Sequence, residues 1–565
     1  MLSAQLSYDI TDWLNIAGRV RIDNSHTKYE QKLYASSNAT ITEESTQGHY
    51  TIAKPDETQT YADVLANINK RFGDYSLVAN VGASIVNNKF EELSYRGPIR
   101  EKGIPNVFNV FDLDNAKKKA RQDEWQEQTQ SIFASVEVGW KSMLYLTLTG
   151  RNDWASQLAN SSTSSFFYPS VGLSGVISEM IQMPSFIDYM KVRGSFSSVG
   201  MPYPRNLTSP TYEYNEATQS WKPKTHYPIG DLKPERTDSW EVGLDMKLFK
   251  DFNLGLSWYL ANTFNQTFDP QISVSSGYTT IYLQTGYVRN TGLELSLGYG
   301  HTWNNNFRWD SNFTLSHNKN KIKELVRDYV HPETGELINK NRLDVGGLGK
   351  ARFILKEGGT LGDLYTQSDL KRDDNGMVDI DPTGIVAIEN NLPDIKLGSV
   401  FPKANLAWSN HFSWKGISLS ALFTARIGGI VYSATEAAMD QYGVSERSAL
   451  GRDNGGVLVN NRTLVDAQNY YTTIGSESGL PQYYTYNATN VRLQEASIGY
   501  LIPRKWLGNV CDIQVSVIGR NLWMIYNKAP FDPESVATTD NYYQGIDYFM
   551  LPSTRNIGFN VKINF

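Results

Sequence analysis

Apolar residues recur at every second position in run after run of this chain. Trp240, Val242, Leu244, Met246 and Leu248 alternate with Glu241, Gly243, Asp245 and Lys247. Phe252, Leu254, Leu256, Trp258 and Leu260 alternate with Asn253, Gly255, Ser257 and Tyr259. Leu293, Leu295, Leu297 and Tyr299 alternate with Gly292, Glu294, Ser296 and Gly298. In a further run Phe307, Trp309, Phe313 and Leu315 share one side, and Arg308, Asp310, Asn312, Thr314 and Ser316 the other. Successive side chains of a β-strand point to opposite faces, so this pattern specifies strands with one apolar and one polar face. About seventeen such strands can be counted, the first opening at Leu2 and the last ending at Phe565. Others start near Leu14, Tyr61, Tyr75, Gln130, Leu144, Phe166, Lys191, Ala404, Ile417, Val491 and Asp512.

The connections fall into two kinds. Short turns are expected at Thr11–Trp13, Gly73–Asp74, Lys141–Ser142, Lys250–Asp251, Asn304–Asn306 and Lys415–Gly416. Between them lie long polar loops near residues 26–58, 90–123, 157–165, 200–235, 267–286, 327–400, 433–487 and 523–550. Sorting loop lengths in this way is the habit of an outer-membrane barrel, whose periplasmic turns are short and whose extracellular loops are long. A soluble sandwich has no reason to do it. Tryptophans gather at strand ends (Trp140, Trp154, Trp258, Trp303, Trp408, Trp414, Trp506, Trp523), where an interfacial belt would place them.

Composition agrees. No apolar run approaches the roughly 20 residues of a membrane helix, and mean hydropathy is -0.42. A barrel with a wet lumen has such an average because half of each strand is polar. The net charge of -6 argues against nucleic acid as a partner. The single cysteine, Cys511, excludes a disulfide framework and reads as a small apolar residue in an alternating run. Seven scattered histidines show no metal spacing, so neither catalysis nor a cofactor is expected.

Asp231-Leu232-Lys233-Pro234-Glu235 leads into Ser239-Trp240-Glu241-Val242-Gly243. Gly150-Arg151-Asn152-Asp153-Trp154 precedes Phe167-Tyr168-Pro169-Ser170-Val171, and Lys191-Val192-Arg193-Gly194-Ser195 precedes Val199-Gly200. Arg289-Asn290-Thr291-Gly292-Leu293-Glu294-Leu295, Val491-Arg492-Leu493 and Gly519-Arg520-Asn521-Leu522 follow in order. Together these segments resemble the SusC/RagA family of TonB-dependent transporters. The final strand, with Ile557, Phe559, Val561, Ile563 and Phe565 on one face, is similar to the sorting signal read during insertion of outer-membrane barrels.

The resemblance implies an all-β, antiparallel transmembrane β-barrel, about 17 strands of a 22-stranded whole with a plugged lumen. It implies a bacterial outer-membrane importer of glycans or oligopeptides, not an enzyme. Its partners would be the TonB complex and a SusD-like surface lipoprotein serving as a lid. Residues 1–565 are expected to be one partial barrel. The signal peptide, TonB box, plug and first strands of such a transporter are expected to be missing from them. A fragment of that kind would leave unpaired sheet edges. The rival readings are a non-transporting outer-membrane barrel and a soluble β-rich carbohydrate binder.

Two groups of side chains remain as candidate sites. Asp373, Asn375 and Asp379 carry oxygen ligands at alternate positions beside Gly376, part of an EF-hand-type calcium loop. The glutamate that such a loop needs falls on Gly384, and a polar Asx turn explains the same residues. Tyr212, Tyr214 and Trp221, with Tyr470 and Tyr471, are aromatic clusters in long loops that could meet substrate or the lid.

Overall fold

The computed structural model describes residues 1–201, 205, 207, 212–215, 220–223, 226–227, 234–268, 280–281, 283–284, 286–303, 307–330, 335, 337–476, 479–538 and 543–564. Eighteen strands belong to one antiparallel sheet. Contacts divide the chain into two compact units. The first comprises Met1–Leu173, Phe196–Thr237 and Gln271–Gln284; the second comprises Ser174–Ser195, Asp238–Pro270 and Thr285–Phe565.

The first unit holds β1 (Leu2–Thr11), β2 (Leu14–His26), β3 (Tyr29–Leu33), β4 (His49–Phe72), β5 (Tyr75–Pro98), β6 (Lys119–Trp140) and β7 (Leu144–Ala155). Strands β8 (Ser165–Val176) and β9 (Ile187–Met201) carry residues of both units. The ladder follows chain order, with Val20 opposite Ala62, Ala62 opposite Ile85, Ile85 opposite Gln130 and Gln130 opposite Trp154. That row lies on the apolar face. One residue along, Arg19, Asp63, Ser84, Ser131 and Asp153 form a row on the polar face. Arg19 bonds Asp63 there, and Arg151 bonds Asp153 and Ser131.

In the second unit the sheet continues through β10 (Glu235–Leu248), β11 (Phe252–Phe264), β12 (Tyr287–Trp303), β13 (Phe307–Glu324), β14 (Ala404–Trp414), β15 (Ile417–Ile427), β16 (Asn490–Ile502), β17 (Asp512–Asn527) and β18 (Asn556–Asn564). All seventeen expected strands are present, and β3 is the eighteenth. The eight strand-end tryptophans are all exposed. On the apolar face, rings run from Phe252 to Tyr299 to Trp309 to Phe412, with centroids 4.7, 5.2 and 5.9 Å apart. Among the described residues β1 pairs only with β2, and β18 only with β17. Ile557, Phe559, Val561 and Ile563 are exposed on β18; Phe565, the turn Asn304–Asn306 and Asp231–Lys233 lie outside the described residues.

Two expectations about the loops need correction. Residues 49–58, 90–98 and 119–123 are not loops but the outer ends of β4, β5 and β6, which run 24, 24 and 22 residues. At about 3.3 Å per residue each is far longer than the 9–11 residues that cross a bilayer. Both faces are polar there (Lys54, Asp56, Glu57; Lys89, Glu91, Glu92), so alternation disappears while the backbone ladder continues.

The second correction concerns the loops near 327–400 and 433–487. They hold the largest hydrophobic cluster among the described residues, including Phe353, Leu364, Val400, Tyr432, Ala437, Ile474, Leu480 and Tyr484. Three helices belong to this lobe: α1 (Ala434–Gln441), α2 (Glu446–Asp453) and α3 (Ala467–Gly475). Ser433, Ser445 and Asp466 cap their N-termini by accepting from backbone amides. Elsewhere among the described residues, helix is confined to short segments at turns.

Candidate functional site: a polar cavity on the second unit's sheet

A cavity of about 740 Å³ opens on the polar face of the second unit. Its lining includes Ser257, Glu294, Ser296, Thr314, Ser316, Asn405, Thr424, Arg426 and Gln494, and Glu534 from the loop after β17. These are the polar members of the alternating strands, set side by side by register. Glu294 lies opposite Ser316, Ser316 opposite Asn405, and Asn405 opposite Arg426.

Arg193 forms one wall. Its guanidinium donates to Asp245 at 2.8 Å, to Glu241 at 3.0 Å and to Ser257 at 2.6 Å. Gly243 makes this possible, since a Cβ there would sit 2.6 Å from Arg193 Cζ. The Lys191–Ser195 and Ser239–Gly243 motifs are therefore one constellation: an arginine, its carboxylate partner and the glycine over which it lies. The Arg289–Leu295 motif has a similar cause. Tyr259 lies across Gly292, where any Cβ would overlap its ring, and its hydroxyl reaches Asn318.

Near the cavity, Arg492 is buried and doubly bonded to Asp532, at 2.9 and 3.1 Å. It also pairs with Glu534 at 3.2 Å. This clamps residues 528–538 against β16. Burial pushes the Asp532 carboxyl up, but Arg492, with hydrogen bonds from the Glu534 amide and Ser553, outweighs it and holds the group below the usual carboxylate range.

The loop lobe has its own buried network. Asp440 accepts from Tyr484 at 2.8 Å, Ser445 at 2.6 Å and Arg447 at 2.9 Å. Burial, reinforced by Asp440, pushes the Tyr484 hydroxyl far up. Arg342 and Lys356 hold the Asp394 carboxyl well below its usual range, Arg342 through two bonds of 2.6 and 2.9 Å.

The structure divides the aromatic candidates. Tyr212 and Tyr214 lie on the strand Tyr212–Asn215, with Tyr214 opposite Trp221, and the Trp221 ring is exposed. The side chains of Tyr212 and Tyr214 are outside the described residues. Tyr470 and Tyr471 pack edge to face at 5.4 Å against the lobe's core. Burial pushes the Tyr470 hydroxyl up to about 12, so these two rings build the lobe instead of standing free.

At the calcium candidate, Asp373 accepts from the Asn375 and Met377 amides, both at 2.9 Å, and Asp379 turns to Lys371 at 2.8 Å. Asp381 repeats the turn with Thr383 and Ile385. These are successive Asx turns, with Asp373 and Asp381 each engaged by the backbone amides that follow them. Among the described residues no group of three or more His, Cys, Asp or Glu side chains is arranged to hold a metal.

The profile of the family described as "TonB dependent receptor-like, beta-barrel" matches residues 1–522. TonB-dependent receptor P3 of Formosa agariphila is 22% identical over 560 residues, covering 91% of this chain and 53% of that protein. TonB-dependent receptor P26 of the same organism is 24% identical over 491 residues, covering 81% of this chain and 48% of that protein. The chain thus spans about half the length of the curated relatives it matches. Among solved structures, one titled "Structure of the RagAB peptide transporter" superposes with a TM-score of 0.75 at 17% identity, covering 100% of this chain and 62% of that one.

Proposed function

Because this chain belongs to the TonB dependent receptor-like β-barrel family, we propose that it forms the barrel of an outer-membrane importer of the SusC/RagA type. The observation that carries the proposal is the two-faced sheet. In the second unit one face presents Trp258, Leu293, Leu297 and Trp408 to the surroundings; the other presents the polar cavity. In a bilayer the first would meet lipid and the second would line a path for solute. Residues 1–565 serve as the barrel portion, with a plug and TonB box supplied by sequence outside them. A SusD-like lipoprotein covers the long-loop side, and the exposed Trp221 is a contact for it or for substrate. The cargo is a glycan or an oligopeptide. Transport, not catalysis, is the proposed activity.

The test uses the intact parent protein in its own outer membrane. Uptake of its solute should stop when TonB is deleted or the proton gradient is collapsed, and a surface lipoprotein should co-purify with it. Uptake that persists undiminished without TonB would refute the importer reading. The strand Asn556–Asn564 together with Phe565 is proposed as the segment read during insertion. Phe565→Ala should lower the amount of heat-modifiable protein in the membrane without changing the migration of what is inserted. Normal membrane levels would sink that role.

A further inference from the structure

Five charged side chains line the polar cavity: Arg193, Asp245, Glu294, Arg426 and Glu534. Three have partners. Arg193 is bonded to Asp245 and Glu241, and Glu534 is held by Arg492 at 3.2 Å and Asn490 at 3.3 Å. The other two differ. Glu294 is exposed to the cavity and has no hydrogen bond or ion pair with a described residue. Arg426 feels the charge of Glu534 but gives one hydrogen bond, from Nη2 to the Val400 carbonyl at 2.7 Å, while its Nε is buried without a hydrogen-bond partner. A buried donor left unmade on a cation is costly, and such groups mark places where a further partner belongs.

Glu294 and Arg426 are opposite in sign and lie in one row. Glu294, Ser316, Asn405 and Arg426 face one another in register on β12, β13, β14 and β15. Three strand spacings separate the outer members, roughly 14 Å between their backbones. An extended peptide advances about 3.3–3.6 Å per residue, so three or four residues cover that span. Ser316 and Asn405 lie between, with a hydroxyl and an amide suited to peptide bonds. A neutral oligosaccharide could use those two but would bring no charge to Glu294 or to the Arg426 guanidinium.

Resting on the reading of this face as an import path, we infer that the cavity binds a short peptide with free termini, its ammonium group at Glu294 and its carboxylate at Arg426. The ligand is zwitterionic, and its length is set by the row.

Binding of tetra-alanine to the intact transporter, purified from outer membranes, tests this. N-acetylation or C-terminal amidation should each weaken binding about tenfold or more, the scale of a hydrogen bond to a charged group. In Glu294→Gln the free and N-acetylated peptides should bind alike. In Arg426→Gln the free and amidated peptides should bind alike, and Arg426→Lys should keep part of the difference. Glu294 is exposed, so its variant is expected to fold even where Arg426→Gln does not. The inference is overturned if doubly blocked tetra-alanine, or maltotetraose, binds as well as the free peptide. It is equally overturned if the losses from Glu294→Gln and N-acetylation add instead of overlapping. TonB-dependent uptake of some solute with no difference among the peptides would defeat this site and leave the importer standing. The expected peptide pattern without any TonB-dependent uptake would do the reverse.

Discussion

Arg492→Ala is expected to destabilise the clamp between β16 and residues 528–538 by about 3–5 kcal/mol, the cost of breaking one side of a buried ion pair. The Arg492 side chain is 5% exposed and that of Asp532 10%, so solvent does little to screen the loss. Truncation leaves the Asp532 carboxylate buried without its bidentate partner and frees Glu534 at the cavity. Hydrogen exchange of residues 528–538 in the inserted protein should rise accordingly, while the turn ends of β16 and β17 stay protected. The pH dependence has a definite sign. In the native protein Asp532 is held below its ordinary value, so its contribution is present above the unfolded carboxylate range, near 3.9, and fades as pH falls through the lower folded value. In Arg492→Ala only the Glu534 amide and Ser553 still oppose the burial, so the folded value rises. Protonation then relieves the variant as the medium is acidified, and the gap between the two proteins narrows. The double change Arg492→Met with Asp532→Leu should recover much of the loss. A deficit below about 1 kcal/mol, typical of a surface pair, would show that the clamp does not hold the loop.

The sheet was legible in the sequence because a strand with unlike faces writes its period into the residues. Every expected strand was found, and Glu294, Ser296, Thr314 and Ser316 stand on the polar face where alternation put them. What alternation could not show is structure whose two faces are alike. The outer ends of β4 and β5 are wet on both sides and look like loop. The lobe's short strands, such as Ala351–Lys356, are buried on both sides and set among glycine-rich turns. Nor can a local pattern reveal a partner far along the chain. Arg193 meets Glu241 across 48 positions and Arg492 meets Asp532 across 40. The motifs had named Arg193, Glu241 and Gly243 without saying that they touch. Arg426 was missed, although its parity on β15 with Ser418, Ser420 and Thr424 could have placed it on the polar face. Tyr470 and Tyr471 drew notice as aromatics in a polar loop; the capped helix that turns them inward was not legible.

The second large effect is expected in the lobe. Phe353 is fully buried on the strand Ala351–Lys356, opposite Leu364, and meets Tyr543 edge to face at 6.2 Å. Phe353→Ala removes a ring from the middle of the largest apolar cluster and should cost about 3–5 kcal/mol. The rest of the cluster comes from segments far apart in sequence, including Tyr432, Ala437, Ile474 and Tyr484. No segment can bury its apolar side chains alone, so the lobe should open as one cooperative unit. The sheet has its own backbone ladder and does not depend on this core. Limited proteolysis should therefore cut residues 327–400 and 433–487 at once in the variant, while the strands resist and heat-modifiable migration stays unchanged. Phe353→Leu keeps most of the volume and should cost less than about 1.5 kcal/mol. If the strands were lost together with the lobe, the core would be a foundation of the sheet and not a separate body built on its loops. If neither changed, the ring would not be structural at all. The expected split, lobe open and ladder intact, would mean that what covers the long-loop side can vary without disturbing the strands beneath it.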